Sequence, residues 1–171
     1  NVEGANWGLG CNAIHQIDAL SFITAKTDAP VLHDMMDAGA IAAKRPGFVE
    51  FTGTLVADIG GSVLSQSSWR DGNAPFHISV TASSFVANYD MTTFQAVIAG
   101  SHTGWKPLEQ HFPVAYQSHL TNVVVEELLQ TGTCALPGYA LSTKHHIAML
   151  QMFLAHLKNG GVWDGDIVPI T

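Results

Sequence analysis

The stretch FHISVTAS at residues 76–83 alternates, with apolar Phe76, Ile78, Val80 and Ala82 interleaved with polar His77, Ser79, Thr81 and Ser83. A period of two predicts a strand with one face toward a core. Upstream, FVEFTGTLVADI (48–59) reads as one strand, Gly60-Gly61 as a hairpin turn and SVLSQSS (62–68) as the returning strand. Downstream, NYDMTT (88–93) reads as a turn and FQAVIAG (94–100) as a further strand. The period then changes. Leu120, Val124 and Leu128 recur at helical spacing, with Gly132 as the stop. Ile147, Leu150, Leu154 and Leu157 form a second helical stripe, with Ser142 as the expected N-cap and Lys158 before Gly160-Gly161 as its end. Near the start, Ile14, Ile17, Leu20 and Phe22 predict a short helix from about Asn12 to Ile23. NVEGANWGLG before it reads as a loop or a strand end. DAPVLHDMMDAGAIAAKRPG (28–47) gives mixed signals, with one irregular helical turn expected and RPG marking a turn.

Several antiparallel strands followed by amphipathic helices predict an α+β domain. Helices cover one face of a mostly antiparallel sheet, and the other face stays open. Small polar residues such as Ser79 and Thr81 on that open face suit solvent or a second copy of the same sheet, so a homo-oligomer is expected. With 171 residues, 47% of them hydrophobic, the chain has material for one core, and no boundary divides 1–171. The net charge of −7 argues against a nucleic-acid partner, which needs a basic surface to displace counterions. No apolar run approaches the length of a membrane span. Cys11 and Cys134 lie far apart without CxxC spacing, which makes a reducing cytoplasm the default. The first residue is Asn, so the sequence reads as a piece of a longer polypeptide.

Reactive groups crowd the first helix. Cys11, Asn12, His15 and Asp18 fall within two turns, with Cys11 and His15, and His15 and Asp18, on neighbouring positions of one face. A histidine can take a proton from a hydroxyl and return it, and a nearby carboxylate can fix its tautomer. The residues alone fit equally well a helix start capped by Asn12 with a structural histidine. Lys144, His145 and His146 form a second cluster behind Tyr139; adjacent histidines point to different helix faces, which favours a surface or core role. Trp69 and Arg70, in a loop between strands, have the chemistry to stack on a sugar and hold an anion, or they belong to a solvated turn. His102 and His111 flank Trp105 and Lys106 without the paired spacing of a zinc site, so no metal is expected.

WGLGCNAIHQIDALSFIT (7–24) resembles the motif that opens the C-terminal domain of the glucose–fructose oxidoreductase, inositol dehydrogenase and rhizopine-catabolism (Gfo/Idh/MocA) family. That motif is a glycine-rich stretch, then Asp-x-Gly-x-His-x-x-Asp, then an apolar helix. His15 falls on the family's catalytic histidine and Asp18 on the helix aspartate. Cys11 stands at the family's Asp position and Ala13 at its Gly position. The resemblance implies a dihydrodipicolinate-reductase-like C-terminal domain that binds substrate and oligomerises. It implies NAD or NADP held mainly by a preceding Rossmann domain absent from this sequence. GLGCNA, poor in glycine beyond Gly10, reads as lacking the preceding strand that a dinucleotide fingerprint needs. His15 is then the base, Cys11 and Asn12 substrate contacts, and Trp69, Arg70, Tyr139 and His145 further contacts on a sugar pocket.

The expected function is the substrate-binding half of an NAD(P)-dependent oxidoreductase acting on a hydroxyl or carbonyl of a sugar or nucleotide-sugar. The fragment alone is expected to be inactive. The loss of the Asp at Cys11 motivates an alternative, a non-catalytic sugar-sensing or regulatory protein on the same scaffold. A self-contained hydrolase using Cys11 and His15 ranks last, because nothing marks an oxyanion site.

Overall fold

The computed structural model describes residues 1–170. Its elements, in chain order, are β1 (Val2–Ala5), α1 (Leu9–Thr24), β2 (Val31–Met36), β3 (Ile41–Ala42), β4 (Val49–Glu50), β5 (Gly53–Ile59), β6 (Ser62–Trp69), β7 (His77–Thr81), β8 (Phe85–Asp90), β9 (Gln95–Gly100), β10 (Leu108–His111), α2 (Gln117–Thr131) and α3 (Tyr139–Asn159). Eight strands form one sheet in the order β10-β9-β8-β7-β1-β6-β5-β2. All its pairs are antiparallel except β1 with β6. β3 and β4 form a separate small hairpin. This is the α+β class expected, with α1 and α3 on one face of the sheet.

The core lies under those two helices. Leu9, Ala13, Ile14 and Ile17 of α1 and Met149, Phe153 and Leu157 of α3 close over Val2, Leu55, Ala57, Ile59 and Leu64. Strand alternation sends the intervening residues to the other face. There Thr54, Ser67, Glu3, His77, Asp90, Gln95 and His111 stand in one polar row across β5, β6, β1, β7, β8, β9 and β10. At the end of β8, Asp90 accepts the backbone N–H of Thr92 and Thr93, and these bonds hold its carboxyl below the usual range.

Several expectations need correction. FVEFTGTLVADI is not one strand: it breaks between β4 and β5 because Phe51 turns into the core and stacks on Phe153, ring centroids 4.4 Å apart. Residues 31–36 form β2, not a helical turn, because all six pair in register with Gly53 to Asp58 of β5. Asn88–Asp90 end β8; the turn occupies Met91–Phe94. A strand does precede α1, since β1 sits between β6 and β7. Helix α1 starts at Leu9, earlier than expected, and α3 starts at Tyr139 with Gly138 rather than Ser142 at its N-cap. α3 is also rotated relative to its expected stripe. His145, Met149, Phe153, His156 and Leu157 are buried, whereas Ile147 is 50% exposed. Helix α2 ends at Gly132 as expected, but none of its residues is buried.

Candidate functional site

Helix α1 begins where the chain leaves β1 through Asn6, Trp7 and Gly8. The Trp7 indole N–H donates to Ser67 O at 2.7 Å, and its ring meets Phe76 edge-on. Gly8 has φ +81, and a Cβ there would lie 3.0 Å from both Cys11 Sγ and Asn12 Nδ2, so a side chain would be strained and crowded. The first helical turn carries no side-chain cap from its own N-cap residue. Glu50 of β4 supplies a carboxylate instead, accepting the Gly10 N–H at 2.7 Å. A negative group at this end is stabilised by the helix dipole.

Around this junction lies a cleft of about 420 Å³. Trp7, Gly8, Cys11 and Asn12 form one wall; Ile41 to Arg45 of the β3–β4 hairpin form the other, with Glu50, Phe51 and Ser68 below. Such a size falls within the range of small-molecule sites. Much of Asn12 is committed to backbone: its amide donates to Trp7 O at 2.8 Å and to Gly8 O at 3.1 Å. The Cys11 thiol points at Gly8 O, 3.5 Å away, and receives a contact from Asn12 Nδ2 at 3.3 Å. Both residues thus hold the helix start together while lining the cleft.

His15 stands one turn further along the outer stripe of α1. It is exposed and makes no hydrogen bond among the described residues. It lines a second, more apolar cavity of about 640 Å³ with Asp18, Ala19, Phe22, Leu136 and Leu141. Asp18 does not orient His15. Its Oδ1 accepts from Nδ1 of His145, 2.6 Å away, so that imidazole carries its proton on Nδ1. His145 is fully buried on α3, and its Nε2 has no hydrogen-bond partner among the described residues. The sequence placed His145 among the ligand contacts; in the fold it ties α3 to α1 and offers no surface to a ligand.

The remaining expected contacts are dispersed. Trp69 follows Ser68, which faces the helices, so alternation puts its side chain on the opposite face of the sheet from the cleft. Arg70 adjoins the cleft through its backbone, whose carbonyl accepts from Asn6 Nδ2 at 2.9 Å. Tyr139 is 88% exposed at the start of α3 and lines neither cavity. Sequence reasoning missed Trp7, Lys44, Arg45 and Glu50 as cleft residues. Lys44-Arg45 directly before the Pro-Gly turn was the available signal, but nothing local reveals that this hairpin folds over α1. Among the described residues no three His, Cys, Asp or Glu side chains gather as metal ligands. No helix among the described residues is long and apolar enough to cross a membrane.

The β1–α1 junction has the strand, turn and helix of a dinucleotide cradle in the right order, but Glu50 already occupies the helix N-terminus. A pyrophosphate there would meet a carboxylate at the position where the N–H groups should be free. These residues do not fit it.

No protein-family profile matches the chain, and neither does any curated protein sequence. Among solved structures, it is similar to UDP-N-acetylglucosamine 3-dehydrogenase GnnA from Acidithiobacillus ferrooxidans, with a TM-score of 0.50 and 13% identity. The match covers 94% of this chain and 52% of that enzyme, so the chain spans about half its length. At that identity the likeness is one of fold.

Proposed function

We propose that this chain is the substrate-binding and assembly domain of an NAD(P)-dependent oxidoreductase acting on a hydroxyl or carbonyl of a sugar or nucleotide-sugar. The observation that carries the reading is the exposed, unbonded imidazole of His15 on the outer stripe of α1, one turn from the cleft lined by Cys11 and Asn12. The resemblance of residues 7–24 to the Gfo/Idh/MocA motif and the fold shared with a sugar-nucleotide dehydrogenase support it. In this reading His15 takes the hydroxyl proton during oxidation and returns it in reduction. A sugar held in the cleft extends one turn along α1, past Cys11 and Asn12, to bring its reacting carbon to the imidazole, which lines the neighbouring cavity. NAD or NADP, held by another domain, supplies the hydride acceptor.

That other domain is a dinucleotide-binding domain preceding residue 1. Two observations support it: the chain spans about half of GnnA, and Glu50 closes the β1–α1 strand-to-helix junction. We place the protein in the cytoplasm. We assign the open sheet face to self-association, where His77 lies between Glu3 and Asp90 amid small residues. Sedimentation is expected to show dimers or larger species; a monomer at high concentration would remove the sheet face from the assembly role.

Calorimetry tests the division of labour. Residues 1–171 are expected to bind neither NAD nor NADP, and a polypeptide carrying the preceding domain is expected to bind one of them. Micromolar binding of NAD or NADP to the 171-residue chain that inorganic pyrophosphate does not compete away would overturn the two-domain reading. One observation favours a non-catalytic sugar sensor as the second reading. Cys11, at the family's carboxylate position, turns its thiol to a backbone carbonyl.

A further inference from the structure

The chain is acidic, yet its cations are not distributed as partners for its acids. Of seven Lys and Arg residues, Lys26 bonds Gly60 O and the Ser62 hydroxyl, Lys144 reaches Thr27 O, and Lys158 pairs with Asp166. The side chains of the other four, Lys44, Arg45, Arg70 and Lys106, make no hydrogen bond or ion pair among the described residues. Lys44 and Arg45 both line the 420 Å³ cleft, and the backbone of Arg70 is held at its edge by Asn6. With 14 carboxylates available, leaving Lys44 and Arg45 unpaired concentrates positive potential at the mouth of this cleft. The cleft's one carboxylate, Glu50, is already bonded to the Gly10 N–H at the start of α1.

The local backbone fixes where these cations stand. Arg45-Pro46-Gly47-Phe48 closes as a tight turn, with the Phe48 N–H donating to Arg45 O at 3.3 Å and Gly47 at φ +85. Proline then glycine at the two central positions is the composition of a type II turn. Ala43 N–H donates to Phe48 O at 3.0 Å, so Lys44 and Arg45 ride on a closed loop facing α1. Opposite them, Trp7 is pinned by Ser67 and Phe76 and offers an aromatic wall.

We propose that Lys44 and Arg45 form an anion-binding rim that selects a phosphate- or diphosphate-bearing sugar over a free one. This rests on the sugar-oxidoreductase reading and deepens it. Arginine matches a phosphate with two parallel N–H groups and lysine adds a point charge, while the sugar ring lies against Trp7.

The test is titration calorimetry of the 171-residue chain with pyrophosphate, UDP and N-acetylglucosamine, in wild type, in the K44A/R45A double variant and in K106A as a control. Lys44 and Arg45 are exposed, so the double variant is expected to keep its melting temperature. The phosphorylated probes are expected to bind wild type and K106A and to lose about 10-fold or more in affinity in the double variant, the share of a charge-assisted contact. Their salt dependence is expected to fall with it. N-acetylglucosamine is expected to bind both forms alike. UDP binding well above pyrophosphate would assign a nucleotide arm, and equal binding a bare phosphate; either supports the rim. Phosphorylated probes that bind the double variant as well as wild type, or that fail where N-acetylglucosamine binds, would overturn it. Phosphate binding lost in the variant with no sugar binding anywhere would keep the rim and sink the sugar reading.

Discussion

His15→Asn is expected to lower turnover by roughly 10²–10⁴-fold, the usual share of general acid–base catalysis. The measurement uses the polypeptide that carries this domain with the proposed dinucleotide-binding domain. Melting temperature and substrate affinity are expected to stay near wild type. The structure makes the separation clean. His15 is exposed and bonded to nothing among the described residues, so asparagine removes no packing and orphans no buried group. Asp18 keeps its bond to His145, since that pair does not involve His15. A loss of stability at constant turnover would make His15 structural. Unchanged turnover and stability together would remove His15 as the base; sugar binding with no turnover in the wild type would move the reading to the sensor, in which Cys11 stands where the resembling motif has Asp.

What the sequence revealed follows the range of the forces involved. Strand alternation and the Gly60-Gly61 turn are local, and the β5–β6 hairpin emerged with Ile59 paired to Ser62. Residues 31–36 were illegible because their strand character comes from pairing with β5, a long-range gain that no local period records. The same holds for α3. Its apolar residues surround most of the helix, so periodicity could not choose which stripe faces inward. The choice was made by polar partners far along the chain: Asp18 for His145, and Asp34 for His156 at 2.7 Å. Two histidines thus joined the buried face while Ile147 stayed outside. At the candidate site, the crowding of Cys11, Asn12 and His15 on α1 was legible because helical spacing alone sets it. The cleft was not, because its second wall, Ile41 to Arg45, is a hairpin far from α1 in sequence.

Phe153→Ala is expected to destabilise the domain by about 3–5 kcal/mol, the cost of removing a buried phenyl ring and leaving a cavity. Phe153 is fully buried and stacks on Phe51 at 4.4 Å and 9° between planes. Phe51 is itself a residue of the cleft and also meets His156 edge-on. The stack therefore joins α3 to the floor of the candidate site. Domains of this size have total stabilities of about 5–15 kcal/mol, so this one change removes a large part of it. A fall in melting temperature of roughly 10 °C or more is expected. Ile147→Ala on the same helix is expected to stay within about 1 kcal/mol of wild type, since that side chain is half exposed. Urea unfolding of both variants decides the rotation of α3. Equal losses, or a larger loss at Ile147, would mean that the stripe read from periodicity faces the core after all. If the rotation is right, pyrophosphate should also bind less tightly to the folded Phe153→Ala protein than to wild type. Without its stacking partner, Phe51 no longer holds the floor beneath Lys44 and Arg45.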